Sequence, residues 1–370
     1  MKTMTVARMH RVGAPLQLDT LPVPEPGPTD VLVAIKACNV VPNLRNILVH
    51  WPDWHPEMPL PELPGSFGLD ASGVIAAVGS QVVDFAPGER VYVNPGTGCG
   101  GCLACRSGRI TDCRSFTYRG YFGRGPATPK IFKHYPYGGL SEYVTAPQSS
   151  LVRLPESVSF EQGARFGYLG TAYAALRKGR VGPAKTVLVN AIGGTLGVNA
   201  AMLALAMGAT RVLGTGRRMS LLERVKALAP DRIEVLSVED AGVSIRDWAL
   251  GHTGGEGVDT VIDALPPKSP PGATMAALRA LRIGGRGVLP GGMTDSLTLD
   301  PNWLIAANAH LMGSRWFSVP EGEDLAAMAA AGTLDLSVLE HRRFPLAQVN
   351  EAITAAEDAR SGFSNVVVMP

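Results

Sequence analysis

Neither sign of charge is in excess in this chain: 34 lysines and arginines stand against 32 aspartates and glutamates, a net charge of +2. Proteins that track a nucleic-acid backbone neutralise many phosphates at once, so this balance argues against such a partner. Long apolar runs are missing too, since none approaches the ~18 residues of a membrane-spanning helix. The start, MKTMTVARMHRVG, has no apolar core of a secretory signal. Cysteine is scarce, with five residues, and four of them fall between positions 99 and 113. That crowding is unlike a secreted disulfide framework. Charged residues make up only 18% and hydrophobic ones 46%, which excludes wholesale disorder. These features lead to the expectation of a soluble, cytoplasmic protein with no membrane partner.

At 370 residues the chain is too long for one compact core and suits two domains. Its 43 glycines and 29 prolines fit many strands joined by tight turns. The first ~155 residues read as β-rich: Val31, Val33 and Ile35 alternate, and Val74-Ile75, Val91–Val93 and Tyr143-Val144 form further short runs. Proline-dense residues 22–28 and 52–64 are expected to be loops or edges. From about residue 184, apolar strands (186–189, 211–213, 232–236, 258–262, 287–289) alternate with helical patterns (196–207, 221–228, 245–250, 273–281). This rhythm predicts an α/β class and a doubly wound parallel sheet of the Rossmann kind. Two more helical segments and a final strand, Asn365–Val368, follow residue 300. The expected boundaries are 1–158 with 305–370 for a β-rich catalytic domain, and 159–304 for the nucleotide-binding one.

Cys99, Cys102, Cys105 and Cys113 have the spacing C-x2-C-x2-C-x7-C. Four thiolates this close can share one tetrahedral ion, and zinc is the usual occupant of a closed all-sulfur site. One structural zinc per subunit would tie together a lobe at about 94–115. Redox dithiols or a chance cluster are the alternatives.

TVLVNAIGGTLGVNAAMLALAMGA reads strand, glycine turn, helix. Ala191, Gly194 and Gly197 supply A-x-x-G-x-x-G, with Gly193 extra and Thr195 and Leu196 opening the helix. Small residues let a pyrophosphate approach the backbone, and free amides at the helix start bind it. About 20 residues further on, NAD-binding chains carry an acid for the ribose. Here RVLGTGRRMS gives Gly216, Arg217 and Arg218, with Ser220 and Glu223 forming an expected capping box. Two cations at a positive helix start make sense around a 2′-phosphate, which predicts NADP(H). Two solvated surface arginines are the alternative.

Together with GPTDVLVAIKACNV, LPGSFGLDASGVIAAVG, FAPGERVYV, YGGLSEYV, GTAYAAL and RFPLAQVNEAI, these motifs resemble the medium-chain dehydrogenase/reductase superfamily over nearly the whole chain. This superfamily includes zinc alcohol dehydrogenases and quinone reductases. The resemblance implies a GroES-like fold for the β-rich domain and a substrate cleft between the domains. It also implies that Thr171 lies against the nicotinamide, that Asp263 orders a loop near the adenosine half, and that Leu289–Gly292, with Gly291, passes behind the ring. It further implies a homodimer or homotetramer joined around Leu311–Ser314.

One departure from the pattern is informative. Where zinc alcohol dehydrogenases carry a Cys, a His and a Cys for a catalytic zinc, this chain has Val41, Leu69 and Gly167, with Asp70 at the accompanying glutamate position. Three of these residues offer no ligand atom, so no Lewis acid is expected there. Asn43 replaces a hydroxyl relay, and Tyr168 adjoins the lost third ligand. Both are candidate proton donors, with a turn and core packing as the plainer readings. The segment from His50 to His55, with its two tryptophans, lines a flat apolar pocket or forms a surface loop. Trp303 and Trp316 border substrate or simply pack, and Cys38 reads as a buried small hydrophobe. Reducing a C=C conjugated to a carbonyl is easier without metal than oxidising an alcohol, because the charge arrives as a delocalised enolate. The leading expectation is therefore an NADP(H)-dependent reductase of enones, quinones or 2-alkenals, acting on a small apolar carbonyl compound. A zinc-independent alcohol or carbonyl dehydrogenase is the alternative, and a non-catalytic NADPH-binding protein is the reading from another class.

Overall fold

The computed structural model describes residues 2–239, 242–291, 295–359 and 361–370. Asp30–Asn39 forms the spine of a seven-stranded sheet, running antiparallel to Asp70–Val78 on one side and to Tyr143–Pro147 and Ser364–Met369 on another. Its alternating valines and isoleucine bury one face, which is why the pattern at 31–35 is legible. The last strand enters beside the first part of the chain, with Val367 opposite Asn39 and Val368 opposite Cys38. Between them the chain builds a six-stranded, all-parallel sheet in the order Ile233–Ser237, Arg211–Gly216, Thr186–Asn190, Val258–Asp263, Leu281–Leu289, His310–Gly313. Its central strands are apolar on both faces because helices cover both. The reversal of order beside Thr186–Asn190 opens a crevice at the carboxyl ends of the strands, where such sheets bind ligands.

A large apolar cluster runs from Ala7 through Phe166 and Val198 to Val368, so the helix Phe166–Lys178 packs against both sheets. Three local expectations are corrected. Trp51–Trp54 is a short helix inside a stretch read as loop, because Pro52 sits in the first turn, where a missing amide costs nothing. The helix after Arg218 starts at Met219, so Ser220 and Glu223 form no capping box and Arg218 itself is the N-cap. After residue 300 the described residues form three α-helices rather than two: Pro301–Ala306, Val319–Ala330 and Val349–Asp358. The middle one carries a capping box made by Ser318 and Glu321.

Candidate functional site

The strand Thr186–Asn190 ends at the crevice and the chain turns sharply at Ala191, whose φ is +63°. A non-glycine residue in this region is strained by roughly 1–2 kcal/mol, which the surrounding turn must hold. The helix Thr195–Ala206 then begins with Gly194 as N-cap. A Cβ on Gly197 would stand 2.2 Å from the Ala191 carbonyl oxygen, so only glycine lets helix and turn touch. The first amides of this helix have no intrahelical acceptor, an arrangement able to bind an anion. Thr195 and Leu196 are half-buried there, and Gly193 is held by its carbonyl, which accepts from the Gly362 amide at 3.0 Å.

Beside the turn lies a cleft of about 670 Å³ bordered by Ala191, Gly216, Arg217, Ile245, Pro267 and Lys268. Arg217 on its border and Arg218 next to it are both exposed, and Arg218 leads directly into a helix N-terminus without a side-chain cap. Asp263 is buried behind Asn190 and does not itself line the cleft. Its two oxygens accept from Asn190 (2.7 Å) and Thr274 (2.7 Å), and burial raises its pKa. Asn190 in turn accepts from Thr215 at 2.6 Å, so Asp263 fixes the strand ends that frame the cleft. Across the cleft, the Lys268 ammonium sits 4.5 Å from the Trp54 ring centroid. Gly291 packs near the Leu265 carbonyl, and Leu289 accepts from the Ser314 amide. Gly292 lies outside the described residues.

The three expected ligand positions are all buried, and a carboxylate stands against one of them. Val41 and Leu69 are buried, and Gly167 is the second residue of the helix Phe166–Lys178. Asp70 fills the adjoining space and accepts from the Tyr92 hydroxyl at 2.8 Å. Burial raises its pKa to about 7, against the opposing influence of the Tyr92 hydrogen bond and of Arg165. Thr171 donates to the Gly167 carbonyl at 2.8 Å. Cys38 is fully buried and its thiol is pushed up by desolvation, as expected of an inert core residue.

Asn43 and Tyr168 both act on a third group that the sequence reading missed, the buried phenol of Tyr121: Tyr168 raises its pKa and Asn43 lowers it. Desolvation raises Tyr121 and takes Tyr168 to about 12, so both phenols keep their protons at neutral pH. Only the aromatic run YRGYF hinted at Tyr121, and it matches no spacing rule. Asn43 also accepts from Asn46 at 2.8 Å, which orients its side chain.

Aromatic rings continue away from these donors. Trp51 stacks on Phe122 (4.2 Å), Phe122 meets Tyr118 (5.0 Å), and Tyr118 meets Trp316 edge-on (5.1 Å). Trp316 is buried with its indole N–H donating to Asn94. Trp303 packs instead with the second apolar cluster on the parallel sheet, under Arg279. His50 is exposed and stacks on Trp54, while His55 lies against Trp51.

The side-chain sulfurs of Cys99, Cys102, Cys105 and Cys113 lie within 4.8 Å of one another, a set able to hold one metal ion. Backbone amides hold the Cys99 thiol down to about 6, favouring the thiolate a metal requires. Arg315 donates to the Thr111 carbonyl and so ties this lobe to the segment bearing Trp316.

Two family models match the chain: the alcohol dehydrogenase GroES-like domain over residues 27–156 and the zinc-binding dehydrogenase over 195–331. Sorbitol dehydrogenase of Bacillus subtilis is 26% identical over 372 residues, covering 100% of this chain and 98% of the relative. An NAD-dependent alcohol dehydrogenase of Sulfurisphaera tokodaii is 30% identical over 272 residues, 70% of this chain and 71% of its own. Among solved structures, an NADP-bound protein of Sinorhizobium meliloti 1021, named for zinc-binding dehydrogenases, superposes with TM-score 0.82 at 24% identity, covering all of both chains. Acetophenone reductase of Geotrichum candidum, in complex with NAD, gives 0.76 at 23% identity over 100% of this chain and 98% of its own. Among the described residues no helix is long and apolar enough to cross a membrane.

Proposed function

Because the chain belongs to the medium-chain dehydrogenase/reductase superfamily, we propose that it is an NADP(H)-dependent oxidoreductase working without a catalytic metal, which reduces a C=C conjugated to a carbonyl. The observation that carries this reading is the donor set at the old ligand positions. Val41, Leu69 and Gly167 have no lone pair to offer, and the space beside them is taken by Asp70. Negative charge on the substrate oxygen must then be met by hydrogen-bond donors, and this reading assigns that role to the neutral groups Tyr121, Tyr168 and Asn43. With its pyrophosphate held at the Ala191–Gly197 turn, a bound NADPH would supply the hydride for the carbon β to the carbonyl. The adjacent carbon takes its proton from water or from a phenol. The aromatic series Trp51–Phe122–Tyr118 offers a flat apolar wall for enones, quinones or 2-alkenals.

Arg217 and Arg218 favour the 2′-phosphate, since no acid occupies the end of the strand Arg211–Gly216. The four-cysteine lobe fits zinc as a closed structural ion. Among the described residues the strand His310–Gly313 ends the parallel sheet with one edge unpaired, which supports a homodimer or homotetramer built across it.

A second reading has support of its own, because the relatives named above are dehydrogenases of alcohols and polyols. In it, Tyr168 protonates a carbonyl oxygen directly. Incubation of purified protein with NADPH and an enone decides between them. Saturated ketone supports the proposal and allylic alcohol supports the second reading. Tight NADPH binding without oxidation by any acceptor would leave a binding protein.

A further inference from the structure

Arg165 is the bulkiest side chain buried almost completely, with 1% of its surface exposed. Burying a guanidinium is expensive, and an apolar side chain of similar size would be cheaper if packing alone were required. Its Nη1 donates to the Ser364 carbonyl (3.1 Å) and its Nη2 to the Gly362 carbonyl (2.6 Å). Gly362 in turn donates its amide to the Gly193 carbonyl at 3.0 Å, and a Cβ there would stand 2.3 Å from the Gly194 carbonyl oxygen. The backbone at 362 therefore lies directly on the glycine turn with no space between. Burial lowers the Arg165 pKa to about 10, with Tyr168 and Asp70 opposing it, so the guanidinium stays charged at neutral pH. Its Cζ lies 5.3 Å from the Tyr168 ring centroid, within cation–π reach.

We propose that Arg165 is a positioning residue for the cofactor, clamping residues 362–364 so that the Gly362 backbone fixes the turn whose amides meet the pyrophosphate. This inference rests on the dinucleotide sitting at the Ala191–Gly197 turn. Calorimetry on Arg165→Met, Arg165→Lys, Gly362→Ala and the Met/Ala double variant tests it, with NADPH and adenosine 2′-monophosphate as ligands. Arg165→Met is expected to raise the NADPH Kd about tenfold, as for loss of charged hydrogen bonds, and to leave the 2′-monophosphate within about twofold. Arg165→Lys should fall between, and the double variant should bind no more weakly than the weaker single one, since both act on one contact. Equal weakening of both ligands would show a general structural role. That result, independent multiplication of the two effects, or unchanged NADPH binding by folded Arg165→Met overturns the proposal. If Arg165→Met does not fold, a wild-type NADPH Kd for Arg165→Lys does the same. Gly197→Val separates the underlying reading: undiminished NADPH affinity there would mean that the dinucleotide binds elsewhere.

Discussion

Asp70 occupies the room that a side chain at Gly167 would need: a Cβ there would stand 2.0 Å from Oδ1 and 2.3 Å from Oδ2 of the carboxylate. The loss of a ligand at one position and the presence of an acid at the other are thus one packing solution. Tyr92 holds the carboxylate in place, so it has little freedom to retreat.

Gly167→Ala should consequently destabilise by ~1–3 kcal/mol, even though alanine is the better helix residue by ~0.5–1 kcal/mol. Adding Asp70→Ala should recover much of that loss. Urea unfolding of the two single variants and the double one measures the coupling, and a stabilised Gly167→Ala would contradict the packing.

Asp70 also predicts a pH dependence. Its pKa rises from 3.8 unfolded to about 7 folded, so between these values the native state binds the extra proton. Stability from this group is therefore greatest in acid, declines as pH rises through about 4 to 7, and is constant beyond. The cost at neutral pH is on the order of 4 kcal/mol. Asp70→Asn, which still accepts from Tyr92, should gain stability over the parent as pH goes from 5 to 8. Parallel melting curves at both pH values test this, and a gap that narrows would refute it.

Cofactor preference should reside in Arg217 and Arg218. Replacing either by alanine is expected to weaken NADPH by about tenfold and leave NADH unchanged, because only the former presents a phosphate to them. Titration with both nucleotides gives the ratio directly. A parallel drop for NADH would mean that these arginines serve the fold instead.

Metal analysis should find a single zinc ion per chain, lost in Cys105→Ser. Without it the lobe has little core of its own, since Cys99 is exposed and Cys102 and Cys105 are only half-buried. The melting temperature should fall on chelation, and Trp316 fluorescence should change through the Arg315–Thr111 contact. Identical melting with and without chelator would exclude a structural ion.

Patterns repeating over short distances were the legible part of this molecule. The parallel strands show because both faces are buried, and the glycine turn shows because Gly197 has no alternative at 2.2 Å from Ala191. The four cysteines are readable because their ligand atoms come from one short stretch. Tyr121 and Arg165 were hidden because their roles arise from partners far away in sequence, such as Asn43 and Gly362. The helix Trp51–Trp54 was hidden for the opposite reason: a local proline signal was read without its position in the turn. Ser220 looked like a cap by spacing alone, yet the helix gains a residue at its start and leaves it inside.

The strand Ser364–Met369 has a consequence for biosynthesis. Asp30–Asn39 emerges from the ribosome long before its neighbour Ser364–Met369 does. The parallel sheet can mature as an uninterrupted stretch during elongation, whereas the other must wait, with the hydrogen-bonding edge at Cys38 and Asn39 bare, until Ser364–Met369 has been made. Truncation just before Ser364 would leave that edge open in a polypeptide whose parallel sheet is already whole.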